Sequence, residues 1–512
     1  MFRRTDFPGL LRIALALMLC GAGLLVRGRV FSARKYTQPR QTSADIEARI
    51  LRVENGLLPD NVIKGQPVPR MKLVDNMKEY GTPGVSIAVV NDYKIEWARG
   101  YGVRAQGSSE PVTPDTVFQA ASISKPVTAL MAMRLVQQGK LGLDEDVNQK
   151  LVSWKVPENE FTRERKASLR GILTHTAGFD LLAYEGTPAG EILPTALQVL
   201  NGENPATNPA IRPVYVPGTK NVYSGGGFLV LQQLLIDVTG TPFPRVAEEL
   251  IFRPLGMKRT TFQQPLPDSL QTNAAAGTQR GTPVKGKWLI KPNMASGGLW
   301  STPSDLARFV IELQQARLGK SRKVINRKTA NLIIPLLESQ NSAGAGVSVK
   351  VRGFGLGVTG EDQDIRFSHG GYTSGYRCDM VAFGNGKAVV VMTNGSSQGL
   401  LREILRSVAK EYGWTAPEYI PKERTLVTLE PRVLESYAGE YEFPEGRTPR
   451  VSVIKTRNGQ LFLDGAPLQA KSANSFFGDG PATYIFVKDE NGRVKEMVYD
   501  VGLFKLIAKK IK

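Results

Sequence analysis

The sequence from Thr116 to Leu135 changes from the pattern of a β-strand to that of an α-helix at Ser122. Thr116-Val117-Phe118 is β-branched and aromatic, which is typical of a strand. The apolar residues after Ser122 recur at helical spacing: Val127, Leu130, Met131 and Leu135. Ser122 is therefore predicted to lie where a strand leads into a helix. The unpaired N–H groups of the first helical turn can stabilise an oxyanion there.

Lys125 follows Ser122 by one helical turn, so the two side chains are predicted to share a face of the helix. An ammonium that is partly desolvated has a lowered pKa, and the neutral amine can then remove the serine proton. Pro126 agrees with a helix that begins here, because proline is tolerated only near a helix start. Ser122-x-x-Lys125 thus predicts a nucleophile and its base. Taken alone, the motif also fits a helix-capping serine followed by a solvated lysine.

The first 33 residues have the pattern of an export signal. Arg3 and Arg4 precede an uncharged apolar run, residues 13–26, and the small residues Ser32-Ala33 follow. We expect an exported protein that is periplasmic, secreted or anchored to the membrane by this segment. Retention as an uncleaved anchor and lipid attachment at Cys20 are the alternatives. The polar residues 34–44 are predicted to form a flexible tether.

The net charge of +19 favours anionic surfaces, but the basic residues are scattered and no nucleic-acid-binding motif accompanies them. Solubility explains the charge more simply, and no nucleic-acid partner is expected. The chain has two histidines, far apart, and Cys378 is its single cysteine outside the export segment. With so few ligands we expect no metal site and no cofactor.

Apolar alternation predicts an α+β fold for residues 45–415. A hairpin is expected around Asn91-Asp92, and helices should separate it from further strands at 365–367, 376–383 and 388–393. A closing helix is expected at 400–412. The sheet should therefore unite the two ends of the region. Beyond a linker at residues 416–427, short alternating strands at 428–512 predict a small antiparallel β domain of the barrel kind.

Four further motifs follow Ser122-x-x-Lys125 along the chain. They are Leu173–Gly178, Tyr223-Ser224-Gly225, Ser296-Gly297-Gly298-Leu299 and His369-Gly370-Gly371. Together with Ser122-x-x-Lys125, they resemble the serine β-lactamase and penicillin-binding protein superfamily. The most similar branch is that of the class C β-lactamase-like serine hydrolases, which includes D-alanyl carboxypeptidases, D-aminopeptidases and esterases. The resemblance implies a β-lactamase-like sheet flanked by helices, and the C-terminal domain resembles the family's accessory barrels.

The resemblance also implies roles for individual residues. Ser122, Lys125 and Tyr223 would be catalytic, although a tyrosine at this place read in isolation is more often a packed aromatic. The backbone N–H groups of Ser122 and Tyr372 would form the oxyanion hole. His369 would polarise Tyr223 or meet a substrate carboxylate, and Gly370 and Gly371 would let the strand approach the substrate. His175 is expected to bond backbone near the site.

Two departures from the family pattern affect the expected substrate. Gly225 stands where Tyr-x-Asn has its asparagine, and His369 replaces a lysine of the β-lactamases. The sequence therefore favours hydrolysis of esters or peptides, including D-amino-acid or cell-wall-derived ones. The alternative within the family is a β-lactamase or D-alanyl-D-alanine carboxypeptidase. The alternative from another class is a non-catalytic cell-wall-binding or scaffold protein.

Gly395-Ser396-Ser397-Gln398-Gly399 matches the G-x-S-x-G motif of α/β-hydrolases, and it lies between a predicted strand and a predicted helix. That fold requires its catalytic histidine after the serine, and no histidine follows His369. We therefore interpret the segment as a turn of small residues.

Overall fold

The structure, a computed structural model, describes residues 42–180, 184–335, 351–360, 364–443, 450–501 and 505–512. The predicted export signal and residues 34–41 of the predicted tether lie outside the described residues. Residues 43–512 form one compact unit. Its first helix begins at Ser43, so the last two residues of the predicted tether are helical. No helix in the described residues is long and apolar enough to cross a membrane.

The helices in the described residues, in chain order, are α1 Ser43–Glu54, α2 Leu73–Glu79, α3 Ser124–Gln137, α4 Leu169–Leu173, α5 Ala196–Asn201, α6 Gly225–Thr239, α7 Phe243–Ala247, α8 Arg253–Leu255, α9 Asp268–Gln271, α10 Met294–Gly297, α11 Pro303–Arg317, α12 Arg327–Ile333, α13 Gln398–Glu411 and α14 Pro431–Glu435. A π-helical turn, Glu248–Phe252, joins α7 to α8.

The strands before the C-terminal domain are β1 Asn61–Ile63, β2 Gly84–Asn91, β3 Lys94–Gly102, β4 Phe118–Ala121, β5 Thr187–Pro188, β6 Thr278–Gln279, β7 Thr282–Pro283, β8 Leu289–Ile290, β9 Leu299–Ser301, β10 Val351–Gly353, β11 Leu356–Thr359, β12 Arg366–Thr373, β13 Tyr376–Phe383, β14 Ala388–Thr393 and β15 Lys422–Arg424. The C-terminal strands are β16 Gly439–Phe443, β17 Arg450–Arg457, β18 Gln460–Leu463, β19 Ala466–Ser472, β20 Ser475–Phe477, β21 Thr483–Lys488, β22 Val494–Asp500 and β23 Lys505–Lys510.

The main sheet has the strand order β10-β11-β12-β13-β14-β2-β3 in the described residues. The hairpin β2–β3 from the start of the region pairs through β2 with β14 from its end, so the sheet unites the two ends as predicted. Strand β12 is longer than the predicted 365–367, because the His369-Gly370-Gly371 segment continues in register with β13. With helices between the two groups of strands, the α+β prediction is confirmed.

Both faces of the main sheet are covered, which explains why its central strands are almost continuously apolar. In β2, Ile87 and Val89 face α1, α2 and α13, whereas Ala88 and Val90 face the larger core. That larger core includes the apolar residues of α3, α6 and α11. The strand-to-helix junction at Ser122 is therefore enclosed between the sheet and the helical layer.

The C-terminal strands β16 to β23 form a closed antiparallel barrel, as the alternating pattern predicts. Its interior is filled by side chains, and the rings of Tyr437 and Phe486 stack at 4.5 Å between centroids. The predicted linker, residues 416–427, contains β15, which pairs in parallel with β1. From β1, the Nδ2 atom of Asn61 donates hydrogen bonds to the carbonyl oxygens of Gly478 and Gly480 in the barrel, at 2.9 and 2.8 Å.

We predict that deleting residues 425–512 leaves a soluble, folded main domain, because the barrel has a core of its own. The melting temperature should fall modestly, since polar contacts such as those of Asn61 each contribute only about 0.5–1.5 kcal/mol. Circular dichroism and gel filtration measure both properties. Asn61→Ala in the full chain is the control for the lost contacts. An aggregated or unfolded truncated chain would show that the barrel belongs to the main core.

Candidate active site

Ser122 lies between β4, which ends at Ala121, and α3, which begins at Ser124. The chain reverses there through a left-handed residue, Ala121, at φ 46°. The Ser124 hydroxyl holds the turn together, because it donates to the Ala121 carbonyl at 2.6 Å and accepts from the Leu299 N–H at 3.0 Å. The partly buried Ser122 is thus presented at the N-terminal end of α3 by a rigid junction.

Lys125 is buried, and its Nζ atom donates to the Ser122 Oγ atom at 3.3 Å and to the Ser296 carbonyl at 2.8 Å. Its side chain is 2 % exposed. Burial lowers the pKa of Lys125 to about 7, because the charged ammonium is poorly solvated there. A substantial fraction of Lys125 is therefore neutral near neutral pH, and its lone pair lies within reach of the serine proton.

The Tyr223 ring lies against the Lys125 ammonium, 4.7 Å from Nζ to the ring centroid. Tyr223 comes directly before the N-terminus of α6, where the Ser224 hydroxyl caps the helix by accepting from the Gly227 N–H. Gly225 is the first residue of α6 and has no side chain to offer to this space. The structure thus brings together Ser122, Lys125 and Tyr223.

His175 lies in the loop after α4 and packs against Tyr223. Its ring centroid lies 4.6 Å from that of Tyr223 and 5.4 Å from that of Phe228. Its Nδ1 atom accepts a hydrogen bond from the backbone N–H of Ser224 at 3.1 Å. His175 therefore bonds backbone beside the site.

Strand β12 lies alongside the nucleophile turn. A Cβ atom on Gly371 would come within 2.3 Å of the Ala120 carbonyl oxygen, so only glycine permits this approach. The register with β11 ends at Ser368, two residues before Gly370. The His369 ring lies 6.3 Å from the Tyr223 ring between centroids, and Tyr372 is 51 % exposed beneath the Arg377 guanidinium. The glycine pair, His369 and Tyr372 thus border the site.

Lys291 is a second buried lysine near the site, and none of the sequence motifs indicates it. Its chain passes between Gly186 and Gly297, and its Nζ atom donates to the carbonyl of Glu185. Burial lowers the pKa of Lys291 to about 8, and repulsion from Lys125 adds to the effect. The only sequence signal was a lysine within an otherwise uncharged run, residues 288–304.

Two further features bear on the alternatives. In the described part of the chain, no group of three or more histidine, cysteine, aspartate or glutamate residues is arranged to hold a metal ion. Ser397, the central serine of the G-x-S-x-G match, caps α13 by accepting from the Leu400 N–H at 3.2 Å. Its hydroxyl therefore has a structural role at a helix end.

Ser122, placed between β4 and α3 and paired with the buried Lys125, fits the β-lactamase and penicillin-binding protein class that the motifs resemble. A family model described as Beta-lactamase matches residues 71–411. The chain therefore belongs to the β-lactamase family, and the resemblance drawn from the motifs is confirmed.

The curated relatives are named either as a β-lactamase or as a D-alanyl-D-alanine carboxypeptidase. A β-lactamase of Pseudomonas fluorescens is 26% identical over 48% of this chain and 63% of its own length. A Salmonella heidelberg protein with a D-alanyl-D-alanine carboxypeptidase name is 26% identical over 45% of this chain and 55% of its own length. The chain thus spans less than two thirds of the length of either relative.

Solved structures share the fold. An octameric penicillin-binding protein homologue from Pyrococcus abyssi aligns with a TM-score of 0.58 at 21% identity, covering 85% of this chain and 98% of its own. The D-amino acid amidase of Ochrobactrum anthropi aligns with a TM-score of 0.52 at 20% identity, covering 67% and 96%. At these identities the likeness concerns the fold alone.

The lowered pKa of Lys125 predicts how activity depends on pH. A general base acts in its neutral form, so kcat/KM should rise with pH through a midpoint near 7. Initial rates on a p-nitrophenyl ester between pH 5.5 and 8.5, corrected for spontaneous hydrolysis, measure this midpoint. Lys140→Met, which removes an exposed lysine just after α3, should leave it unchanged. A pH-independent rate over this range would exclude Lys125 as the base.

Proposed function

We propose that this protein is an exported hydrolase that forms an acyl-enzyme on Ser122 and acts on ester or peptide substrates, including those with D-amino acids. The observation that carries the proposal is the buried Lys125 ammonium, 3.3 Å from the Ser122 Oγ atom. A helix-capping serine followed by a solvated lysine would not produce this arrangement, because such a lysine would be exposed. The burial of Lys125 supports a base prepared for proton transfer.

In the proposed acylation step, neutral Lys125 removes the Ser122 proton while Oγ attacks the substrate carbonyl carbon. The resulting oxyanion is stabilised by the backbone N–H groups of Ser122 and Tyr372. Proton delivery to the leaving group is assigned to Tyr223, whose ring packs against the Lys125 ammonium. Lys125 and Tyr223 then share the one proton taken from Ser122, so either of them can be the unprotonated partner. Collapse of the tetrahedral intermediate breaks the bond to the leaving group and leaves an ester on Ser122.

Deacylation uses the same residues in the reverse sense. Lys125 or Tyr223 removes a proton from water, the hydroxide attacks the Ser122 ester, and the serine oxygen leaves with the returned proton. His369 is assigned either to polarising Tyr223 or to meeting a substrate carboxylate. Gly370 and Gly371 let the substrate lie along β12, whose pairing with β11 ends before them.

Ser122→Ala should abolish turnover and covalent labelling, because the nucleophile is removed. A loss on the order of 10³-fold or more is expected, as for other covalent hydrolases. A fluorophosphonate probe followed by mass spectrometry locates the labelled residue, and ester hydrolysis gives the rate.

Ser397→Ala is the matched control for this experiment. It loses a helix cap, worth about 0.5–2 kcal/mol of stability, but should keep its activity and its labelling. Full activity in Ser122→Ala would refute the proposed function. A wild-type protein that no acylating probe labels would instead support the non-catalytic cell-wall-binding or scaffold alternative.

A β-lactamase or D-alanyl-D-alanine carboxypeptidase is the second candidate function, supported by the names of the relatives. Gly225 argues against efficient β-lactam hydrolysis, since it lacks the side-chain amide that would anchor the substrate's own amide. Losing a hydrogen bond of this kind in a buried site costs about 1–3 kcal/mol. An ester needs less assistance, because its alkoxide or phenoxide leaves more easily.

We predict a higher kcat/KM for short p-nitrophenyl esters than for nitrocefin. Gly225→Asn should raise the nitrocefin rate, because Gly225 is helical and its backbone conformation suits asparagine. Gly225→Ala is the control, since it adds a side chain without an amide. Nitrocefin hydrolysed faster than every ester tested would restore β-lactamase as the activity. D-amino-acid amides complete the substrate panel.

The proposal also includes the cellular location and the domain arrangement. Residues 1–33 would export the protein to the periplasm or beyond, or retain it at the membrane. Residues 45–415 would form the hydrolase domain, and residues 428–512 an accessory barrel. The barrel-like pattern of the C-terminal segment and the signal-like pattern of the first residues support this arrangement.

A further inference from the structure

We propose that His175 is a positioning residue that fixes Tyr223 for proton transfer at Ser122 and Lys125. The inference rests on the proposed function, because it concerns a residue that acts only through Tyr223. Neither the family match nor the relatives assign this role, and it follows from the contacts that His175 makes on each side of Tyr223.

The first observation is a pair of hydrogen bonds that flank Tyr223. The N–H of Val222, one residue before it, donates to the His175 carbonyl oxygen at 2.9 Å. The N–H of Ser224, one residue after it, donates to the His175 Nδ1 atom at 3.1 Å. One residue therefore holds both peptide groups next to Tyr223, which restricts rotation of the backbone that carries the phenol.

The second observation is the packing of the rings. The His175 and Tyr223 rings lie 4.6 Å apart between centroids, at an interplanar angle of 37°. The Lys125 Nζ atom lies 4.7 Å from the centroid of the Tyr223 ring. Tyr223 thus packs against His175 and against Lys125, so a displaced imidazole would let the phenol move relative to the lysine.

The backbone of His175 is itself in an unusual conformation. Its φ is 61°, in the left-handed region that β-branched and bulky residues avoid. The loop around it is held on the segment before Tyr223, since Thr176 accepts from the Gly218 N–H at 2.7 Å and Thr174 accepts from the Asn221 side chain at 2.8 Å. These contacts tie the loop that contains His175 to the segment that leads to Tyr223.

The geometry also specifies the chemical form of the ring. Because the Ser224 N–H donates to Nδ1, that nitrogen must be unprotonated, and the neutral imidazole carries its proton on Nε2. If Nδ1 were protonated, its N–H would face the N–H of Ser224, and the hydrogen bond between them would be lost. The bond to Ser224 therefore depends on one tautomer.

Two substitutions test the side-chain acceptor of His175 without disturbing its left-handed backbone conformation. His175→Asn keeps an acceptor near the position of Nδ1, and asparagine tolerates the left-handed region. His175→Gly tolerates the same conformation but has no side-chain acceptor and no ring. On a p-nitrophenyl ester, His175→Gly should lower kcat by roughly 10- to 100-fold, because small displacements of catalytic groups cost this much. KM should change little, and His175→Asn should recover most of the loss in kcat.

Asn221→Ala is the matched control, because it removes a hydrogen bond to the same loop without touching the bond to Ser224. It should keep the wild-type kcat. Wild-type kcat in His175→Gly, or equal losses in His175→Gly and His175→Asn, would overturn the inference. Activity retained in Ser122→Ala would instead overturn the proposed function, so the two failures are distinguishable.

A measurement on the wild-type protein keeps the inference testable if His175→Gly does not fold. The chain has two histidines, so ¹⁵N-histidine labelling gives a spectrum that a single His369→Ala comparison assigns. In the pH range of activity, the Nδ1 resonance of His175 should be that of an unprotonated, hydrogen-bonded nitrogen. A protonated Nδ1 in that range would overturn the inference.

Discussion

The burial of the Lys125 ammonium is the constraint on which the rest of the site depends. Among the described residues it forms no ion pair, and its Nζ atom donates to two oxygens, those of the Ser122 hydroxyl and the Ser296 carbonyl. Burying a cation is costly unless it is hydrogen-bonded, so the site depends on these two oxygens keeping their positions. The Ser124 hydroxyl helps to keep them there, because it joins the turn before α3 to the start of β9.

The sheet contributes the opposite wall by close packing of backbone. Gly371 approaches the Ala120 carbonyl, and the Cys378 thiol on the neighbouring strand donates to the Gln119 carbonyl at 3.3 Å. Strand β12 is therefore fixed against β4, two residues before the nucleophile. Because the register with β11 ends at Ser368, the following residues of β12 are left for a substrate to lie against. Strand β12 thus packs against β4 in the core, while its edge beyond Ser368 is not paired with β11 and lies close to Ser122.

Local patterns predicted most of the fold, and long-range contacts explain what they missed. Apolar spacing identified the hairpin β2–β3, the helix after Ser122 and the C-terminal barrel. The strand β12 was predicted too short, because His369-Gly370-Gly371 lacks strand composition and is held by pairing with β13. The contact of Lys291 with Glu185 and the pairing of β15 with β1 join residues far apart in the chain. No local pattern carries such contacts.

The two buried lysines of the site destabilise the folded protein, and the size of this effect depends on pH. Lys125 and Lys291 have pKa values lowered to about 7 and about 8. The ordinary pKa of lysine is 10.5. Between the lowered values and 10.5 the unfolded chain binds more protons than the folded one, so the stability of the fold increases with pH in this range. The destabilisation by the two lysines is therefore largest below the lowered pKa values and decreases as pH rises. At its largest, this destabilisation amounts to several kcal/mol, since a shift of one pKa unit corresponds to about 1.4 kcal/mol. The large core shared by α3, α6 and α11 offsets it. The burial that weakens the fold here is also what makes the Lys125 amine available as a base, so a more stable site with a solvated lysine would be a poorer catalyst.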